Sequence, residues 1–420
     1  MTDSTDQTAR ALDEEYPALR ERFHLPGDGP YMDGNSLGAM PTAAARAVES
    51  AMAEWRELGI EAWTEADPPW FRYGEVIGER TAPLIGADPD EVVAANSTTV
   101  NIHTLVGTFY EPDDGRTKIL VDALTFPTDT YAIRAQLRLR GFDPDDHLVV
   151  VESRDGRTIE EDGVIAAMDD DVALAFLPSA LYRSGQLLDI ERLARAANER
   201  GITFGLDLAH SIGAVPHDLG DSPVDFAVWC GYKYLNGGPG SIAGLYVDRE
   251  HHGRTPALTG WWGHEKETQF ELRDSYTPEP TAGAWQIGTV PVLSAAPLLG
   301  ALSLYEELSI EAVRERSLRL TDYLIALVDE VLDEPFAVGT PREPARRGGH
   351  VAVEHPEAAR LSRALRDRGV IVDYRPPNVV RICPAPLYTR FVEIHEVIET
   401  LDDLERTGAY ESYDEPGDVT

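Results

Sequence analysis

Two residues of this 420-residue chain could together hold an aldehyde cofactor, and they are Lys233 and Asp207. Only three of the 37 lysines and arginines are lysines. Lys233 follows an apolar run at the edge of a glycine-rich segment, and Asp207 ends an earlier apolar run. A lysine amine can form a Schiff base with an aldehyde, while a carboxylate can pair with a protonated pyridine nitrogen. The pair therefore predicts pyridoxal phosphate (PLP) as the cofactor.

Other polar and aromatic residues follow the ends of neighbouring apolar runs and suit the rest of such a cofactor. Thr98 and Thr99 lie where a strand meets a helix N-terminus, so free N–H groups and hydroxyls could bind a phosphate there. Ordinary helix capping is the alternative. Phe126 could stack on a flat ring and Asp129 could contact its polar edge. The alternative for Phe126 is a buried core position beside a helix N-terminus.

His210 and Tyr232 each have a chemical and a structural interpretation. His210 could tune the oxygen of the cofactor ring, or it could be a hydrogen-bonded core histidine. Tyr232 could donate to a phosphate and supply a proton, or it could only pack. Ligands of an open parallel sheet bind beyond the carboxyl ends of the strands. Because the candidates follow successive strands, the ordered set favours PLP chemistry, and no metal site is predicted.

Length and charge limit the classes of protein that the chain can be. A chain of 420 residues predicts two domains of unequal size. The net charge of −36 excludes nucleic acid as a natural partner, because binding phosphates needs the opposite sign. Acidic residues spread along the chain, with almost no lysine, predict a halophilic protein of a salt-rich cytoplasm. An ordinary acidic protein is the alternative.

The cysteines and the apolar segments bear on location. Cys230 and Cys383 are the only cysteines, so no disulfide framework is indicated. The N-terminal residues show no basic region followed by an apolar one, and no apolar stretch has the length of a membrane span. We therefore expect a cytoplasmic protein without a membrane partner.

The pattern of apolar runs predicts an α/β fold. The expected strands alternate with helices, and the first five strands are expected to be buried on both faces; the runs are 92–95, 118–122, 148–152, 173–177, 203–207, 226–230 and 242–247. The expected helices begin near residues 5, 96, 127 and 190, with the first running to about 24. Such alternation predicts a mainly parallel seven-stranded sheet covered on both faces.

The same pattern divides the chain into three parts. Residues 1–60 are expected to form an N-terminal segment that packs with a small domain. Residues 61–300 form the large cofactor-binding domain. Residues 301–420 form a small α+β domain with strands at 370–374 and 379–383.

Eight motifs in chain order resemble the kynureninase family, within the class V aminotransferase superfamily of fold type I PLP enzymes. Four lie before residue 190, namely Gly34-Asn-Ser-Leu-Gly38, Asn96-Ser-Thr-Thr-Val-Asn-Ile-His103, Phe126-Pro-Thr-Asp129 and Tyr182-Arg-Ser-Gly-Gln186. Four follow it, namely Asp207-Leu-Ala-His-Ser-Ile-Gly213, Gly231-Tyr-Lys-Tyr-Leu-Asn236, Gly260-Trp-Trp-Gly-His264 and Arg381-Ile-Cys-Pro-Ala-Pro-Leu-Tyr388. The resemblance covers about residues 31–390 and implies an aspartate aminotransferase-like fold.

The resemblance assigns a role to each candidate on the cofactor. Lys233 would be the Schiff-base lysine, and Asp207 would pair with the pyridine nitrogen. Phe126 would stack on the ring, with Asp129 and His210 near its polar edge. The phosphate would be held by Thr98, Thr99 and Tyr232.

The resemblance also implies a substrate pocket between two subunits. Trp261 and Thr289 would come from the partner subunit of an obligate homodimer. Arg381 would clamp the α-carboxylate of the substrate, and Ser36 and the Trp63 region would line its aromatic end. Thr289 stands where animal relatives carry asparagine, which favours L-kynurenine over 3-hydroxykynurenine.

The implied reaction is hydrolysis of L-kynurenine to anthranilate and L-alanine in tryptophan degradation. Lys233 would remove the α-proton, and Tyr232 is the candidate proton donor later in the reaction. Rival interpretations on the same fold are a class V aminotransferase and a cysteine desulfurase or selenocysteine lyase. Cys230 and Cys383 lie in apolar runs and do not suit the persulfide-carrying role of the latter. A non-catalytic PLP-fold protein is the rival from another class.

Overall fold

The computed structural model describes residues 2–113 and 115–414. The helices are α1 (Thr2–Glu15), α2 (Thr42–Leu58), α3 (Ala62–Glu65), α4 (Tyr73–Thr81), α5 (Thr98–Phe109), α6 (Pro127–Leu139), α7 (Pro144–His147), α8 (Glu161–Ala166), α9 (Ile190–Asn198), α10 (Val292–Glu307), α11 (Ile310–Val331), α12 (Ala358–Asp367) and α13 (Phe391–Thr407). The strands are β1 (Phe23–His24), β2 (Met40–Pro41), β3 (Val92–Ala94), β4 (Lys118–Asp122), β5 (Leu148–Val151), β6 (Val172–Pro178), β7 (Thr203–Asp207), β8 (Phe226–Trp229), β9 (Gly244–Val247), β10 (Ala337–Val338), β11 (Val351–Glu354), β12 (Asp373–Arg375) and β13 (Val379–Ile382).

The large sheet has seven strands in the order β3-β9-β8-β7-β6-β4-β5. Neighbours from β8 to β5 are parallel, and β9 alone runs against its two neighbours. One apolar cluster lies on each face of this sheet, around Leu206 on one side and Phe226 on the other. The predicted seven-stranded, mainly parallel sheet is therefore confirmed.

The smaller sheet is antiparallel, with the order β10-β11-β13-β12. Its apolar cluster includes residues of α11, α12 and α13, and Ala9 of α1 belongs to it as well. The two long helices of residues 1–60 pack on different helices: α1 packs on α13, whereas α2 packs on α10. Residues 1–60 were predicted to pack with the small domain. The helix α2 packs instead on α10, which begins at Val292, in the part of the chain assigned to the large domain.

Three local expectations differ from the structure. The first helix ends at Glu15 rather than near 24, since Pro17 follows and Arg20–Arg22 forms only a short 3-10 turn. The strand β5 is not buried on both faces, because it is the sheet edge and Val150 is 37% exposed. The helix predicted to begin near residue 96 begins at Thr98, and its N-cap Ser97 makes no side-chain capping hydrogen bond.

The helices predicted to begin near residues 127 and 190 do so, as α6 and α9. Pro127 occupies the first position of α6, where its missing N–H costs nothing. The Asp189 side chain accepts a hydrogen bond from the Arg192 N–H at the start of α9, and Gly201 beyond its end has a φ of +65°. Among the described helices, none has both the length and the apolar composition needed to cross a bilayer.

Candidate active site

A cavity of about 570 Å³ opens at the carboxyl ends of the large sheet's strands, against the small domain. Its walls include nine of the predicted site residues, which are Ser36, Thr98, Thr99, Phe126, Asp207, His210, Tyr232, Lys233 and Arg381. These residues come from positions as far apart as 36 and 381 in the sequence. The fold therefore gathers most of the predicted set into one place.

Lys233 lies in the middle of this set. Its Nζ atom is 2.9 Å from Nε2 of His210, 5.9 Å from the centre of the Phe126 ring and 6.0 Å from that of Tyr232. Burial, followed by the charge of Lys233, lowers the pKa of His210 well below its ordinary value. A neutral His210 therefore accepts a hydrogen bond from the lysine amine.

Two buried carboxyl groups lie beside the lysine. Asp207 ends β7 and accepts a hydrogen bond from the Ala209 N–H. Burial raises the pKa of Asp207, and burial together with the charge of Asp207 raises the pKa of Asp129 well above its ordinary value. Asp129 is therefore the more readily protonated member of the pair. Asp129 accepts from the Thr125 hydroxyl at 2.8 Å, while its Oδ1 has no hydrogen-bond partner among the described residues.

The N-terminus of α5 can bind an anion. The first N–H groups of a helix lack intrahelical partners, and Ser97 does not cap them. The hydroxyl of Thr99 lies 2.8 Å from that of Thr128, at the start of α6. Two helix N-termini with hydroxyls thus border the cavity, which fits a phosphate group. The buried carboxylate at Asp207 fits a pyridine nitrogen, so the residues present suit PLP.

A cluster of arginines and acids closes the small-domain side of the cavity. Arg381 donates from Nη2 to the Ser36 hydroxyl at 2.6 Å and to Asp373, and from Nη1 to the Tyr182 carbonyl at 2.6 Å. Arg375 donates from Nε to Asp373 at 2.9 Å. Two guanidinium groups thus surround one fully buried carboxylate at this wall of the cavity.

Burial raises the pKa of Asp33, a further acid in this cluster, to about 6, with the charge of Asp373 adding to the effect. Asp33, Tyr182, Asp373 and Arg375 were not predicted as site residues. Asp373 lies opposite Arg381 in the register of β12 and β13. The pairing of β12 with β13 would have indicated that Asp373 lies beside Arg381. The sequence alone does not show that these two strands are neighbours.

Four predicted residues lie outside the walls of this cavity. One is the fully buried Asp129 beside Asp207, and the other three are Trp63, Trp261 and Thr289. Trp63 packs on Trp70 and Trp262, with ring centres 5.7 and 5.4 Å away. Trp261 is 47% exposed and donates to the Gln269 carbonyl, and Thr289 is exposed. The chain by itself therefore does not bring Trp63, Trp261 or Thr289 to Lys233.

Both cysteines are buried, as their apolar surroundings predict. Cys230 follows β8 directly and Cys383 follows β13, and burial raises the pKa of each thiol, that of Cys383 to about 12. A thiol that carries sulfur between partners must be exposed and readily ionised. Neither cysteine meets these requirements.

Comparison with known sequences places relatives along the whole chain. Residues 313–401 match the family model described as the kynureninase C-terminal domain. The chain is 49% identical over 418 residues to a kynureninase of Geobacillus thermodenitrificans, covering 99% of this chain and 98% of that one. It is 45% identical over 418 residues to a kynureninase of Shouchella clausii, with the same coverage of 99% and 98%.

Solved structures resemble the fold at much lower identity. A cysteine desulfurase from Thermococcus onnurineus has a TM-score of 0.77 at 17% identity, covering 93% of this chain and 98% of that one. A cystine C–S lyase in complex with its product cysteine persulfide has a TM-score of 0.74 at 16% identity, covering 90% and 98%. At these identities the likeness concerns the fold, and it confirms the predicted fold type I architecture.

Proposed function

The chain belongs to the kynureninase family of PLP-dependent hydrolases, and from that premise we propose how its residues divide the work on L-kynurenine. The products are anthranilate and L-alanine, and we place the reaction in tryptophan degradation in the cytoplasm. The observation that carries the assignment of roles is the single cavity that joins Lys233, Asp207 and Arg381. PLP, when bound, supplies an aldehyde for the substrate amine and a ring that takes up electrons from the α-carbon.

Lys233 is the residue that attaches the cofactor and moves the α-proton. The hydrogen bond from its Nζ atom to Nε2 of His210 holds the amine in the cavity. Asp207 meets the pyridine nitrogen, and the proton on Asp129 supports the negative charge of Asp207. Phe126 lies against the ring, and Thr98, Thr99 and Tyr232 hold the phosphate.

Tyr232 donates a proton late in the reaction. The neighbouring Cys230, followed by burial, raises the pKa of Tyr232 above its ordinary value. The phenol therefore stays protonated at neutral pH and remains available as a donor. Its ring lies 6.0 Å from the Lys233 amine, so donor and base face the same part of the cavity.

The amino-acid end of the substrate binds at Arg381 and Ser36. The guanidinium already donates to the Ser36 hydroxyl at 2.6 Å, so the two side chains are held together at this wall. A planar guanidinium suits a carboxylate. Binding at this end leaves the aryl group to extend toward the mouth of the cavity.

The enzyme is a homodimer whose partner completes the aryl end of each site. Exposure of Trp261 and Thr289 supports this proposal. Trp63 packs on Trp262, and Trp262 packs on Trp261, so these three tryptophans form one aromatic surface. We propose that this surface faces the cavity of the partner subunit. Thr289, which is also exposed, favours L-kynurenine over 3-hydroxykynurenine.

The surface charge suits a salt-rich cell. The chain has 73 acidic against 37 basic Lys and Arg residues, and none of its three lysines is exposed. Lys118 pairs with Asp171 at 2.6 Å, and the Lys266 amine is buried against the Trp262 carbonyl at 2.8 Å. Arginine alone therefore provides the exposed positive charge among the described residues, which supports a halophilic protein.

The test is to mix the PLP-loaded protein with L-kynurenine in buffer of high salt and to follow anthranilate by fluorescence. Equal amounts of anthranilate and alanine are expected, with slower turnover of 3-hydroxykynurenine. Alanine without anthranilate, or turnover that depends on an added keto acid, would contradict the proposal.

A further inference from the structure

Asn35 is a buried asparagine in the wall of the catalytic cavity, with 0% of its surface exposed. Neither the Nδ2 nor the Oδ1 atom of its carboxamide has a hydrogen-bond partner among the described residues. Burying a carboxamide without partners costs free energy, and native proteins rarely tolerate it. Such a group in a cavity wall indicates that a ligand provides the missing partner.

The turn that carries Asn35 reaches from Arg381 to Lys233. On one side Asp33 pairs with Cys383, two residues beyond Arg381. On the other side the Gly38 N–H donates to the Tyr232 carbonyl at 2.7 Å, directly before Lys233. An α-amino acid carries its carboxylate and its amine on the same carbon. The turn therefore runs alongside the place where that carbon must lie.

Arg381 cannot satisfy a carboxylate with its usual pair of terminal nitrogens. Both hydrogens of Nη2 are used on Ser36 and Asp373, and one of Nη1 is used on the Tyr182 carbonyl. Its Nε atom is buried and has no partner among the described residues. A carboxylate has about four acceptor positions, so it can accept from Arg381 and still bind a further donor.

We propose that the Nδ2 atom of Asn35 donates a hydrogen bond to the α-carboxylate of the substrate, beside Arg381. This inference rests on the proposed function, because that function supplies the α-amino-acid substrate. Asn35 then recognises the end that L-kynurenine shares with L-alanine. It has no part in binding the aryl end.

The experiment compares the wild-type holoenzyme with an Asn35→Leu variant, which keeps the side-chain size and removes the hydrogen bond. Three quantities are measured: KM and kcat for L-kynurenine, the inhibition constant of L-alanine, and that of 2-aminoacetophenone, which carries the aryl ketone without the amino-acid end. Loss of a hydrogen bond to a charged group predicts that KM and the alanine constant rise by about 10- to 100-fold. The 2-aminoacetophenone constant stays unchanged.

Stability distinguishes a binding residue from a structural one. Because Asn35→Leu removes an unpaired polar group, the variant without ligand is expected to melt no earlier than the wild type. Asn35→Asp places a carboxylate near that of the substrate, so it is expected to weaken alanine binding more than the leucine variant does. Asn35→Ser serves as a second variant if the leucine protein does not fold. Asn198→Leu, on an exposed position of α9, is the matched control and leaves all three quantities unchanged.

Two results would overturn the inference. One is an inhibition constant of L-alanine that stays at the wild-type value in both Asn35→Leu and Asn35→Ser. The other is an equal loss of affinity for alanine and 2-aminoacetophenone, which would mean a distorted cavity. Failure of the proposed function looks different, because then the wild-type protein itself makes no anthranilate from L-kynurenine.

Discussion

The Nζ atom of Lys233 and the Nε2 atom of His210 are 2.9 Å apart and share a hydrogen bond inside the cavity. The pKa of His210 is held well below its ordinary value, first by burial and then by the charge of Lys233. Since Nε2 accepts from the lysine, we assign the ring hydrogen to Nδ1. The histidine thereby fixes the lysine amine between Phe126 and Tyr232.

Lys233→Ala is expected to lower kcat for L-kynurenine by about 10³-fold or more, because both the attachment of the cofactor and the proton transfer depend on the amine. The rate of anthranilate formation measures the loss of proton transfer. The visible absorption of the PLP-loaded protein measures the loss of cofactor attachment. Lys118→Ala, at an ion pair far along the chain, is the control and keeps both signals. Wild-type visible absorption in the Lys233→Ala protein would contradict the role of Lys233.

Arg381→Lys is expected to raise KM for L-kynurenine by about 10- to 100-fold, since a single ammonium group replaces the planar donors that meet the carboxylate. The substitution also removes one of the guanidinium groups around the buried Asp373, so the melting temperature should fall. Steady-state kinetics and thermal unfolding measure the two effects. Arg138→Lys on the exposed side of α6 is the control; an equal effect of both variants would contradict the prediction.

Asp122 predicts how stability depends on pH. Burial raises its pKa from 3.8 to about 6 in the folded protein, and its Oδ1 accepts from the Leu124 N–H at 2.8 Å. Between these two pKa values the folded state binds the proton more tightly than the unfolded state does. The contribution of Asp122 to stability therefore falls as pH rises toward 6 and stays low above it.

Asp122→Asn should abolish this loss of stability at higher pH, while its side-chain carbonyl still accepts the hydrogen bond from the Leu124 N–H. Relative to the wild type, the variant is expected to gain about 2 kcal/mol in free energy of unfolding between pH 4 and pH 8. Urea unfolding at both pH values measures the gain. The exposed Asp170→Asn is the control. A constant difference between wild type and Asp122→Asn across this range would refute the prediction.

Mixed dimers test whether Trp261 acts on the partner's site. Lys233→Ala and Trp261→Ala are each expected to be nearly inactive as pure proteins. Subunit exchange between them creates dimers in which one of the two sites carries both intact residues. A mixture in equal amounts should therefore recover about a quarter of the wild-type activity. No recovery, despite exchange shown by differently tagged subunits, would mean that Trp261 serves its own chain.

Salt dependence tests the consequence of the net charge of −36. In dilute buffer the acidic groups repel one another, so activity and melting temperature are expected to fall as KCl is removed, and to recover when molar KCl is restored. Sucrose at matched osmolality is the control, because it does not screen charges. Full activity and an unchanged melting temperature in dilute buffer would contradict the halophilic interpretation.

The sequence by itself determined where the seven strands of the large sheet lie in the chain and which cofactor chemistry the chain suits. Apolar runs bounded by glycine, proline and capping residues follow from local physics, so the seven strands and the start of α6 were predicted correctly. Lys233 and Asp207 were predicted as site residues because an amine and a carboxylate at strand ends have few purely structural explanations. The class V motifs then connected these residues with one reaction.

Only the tertiary structure decided which residues meet across domains. Asp373 stands opposite Arg381 because β12 pairs with β13. That the carboxamide of Asn35 has no partner among the described residues is evident only once burial is known. The edge position of β5 and the separate partners of α1 and α2 depend on the same kind of information. Local patterns fix how each segment folds, whereas burial and register are properties of distant segments packed together. That is why the lysine could be recognised from the chain, and its surroundings could not.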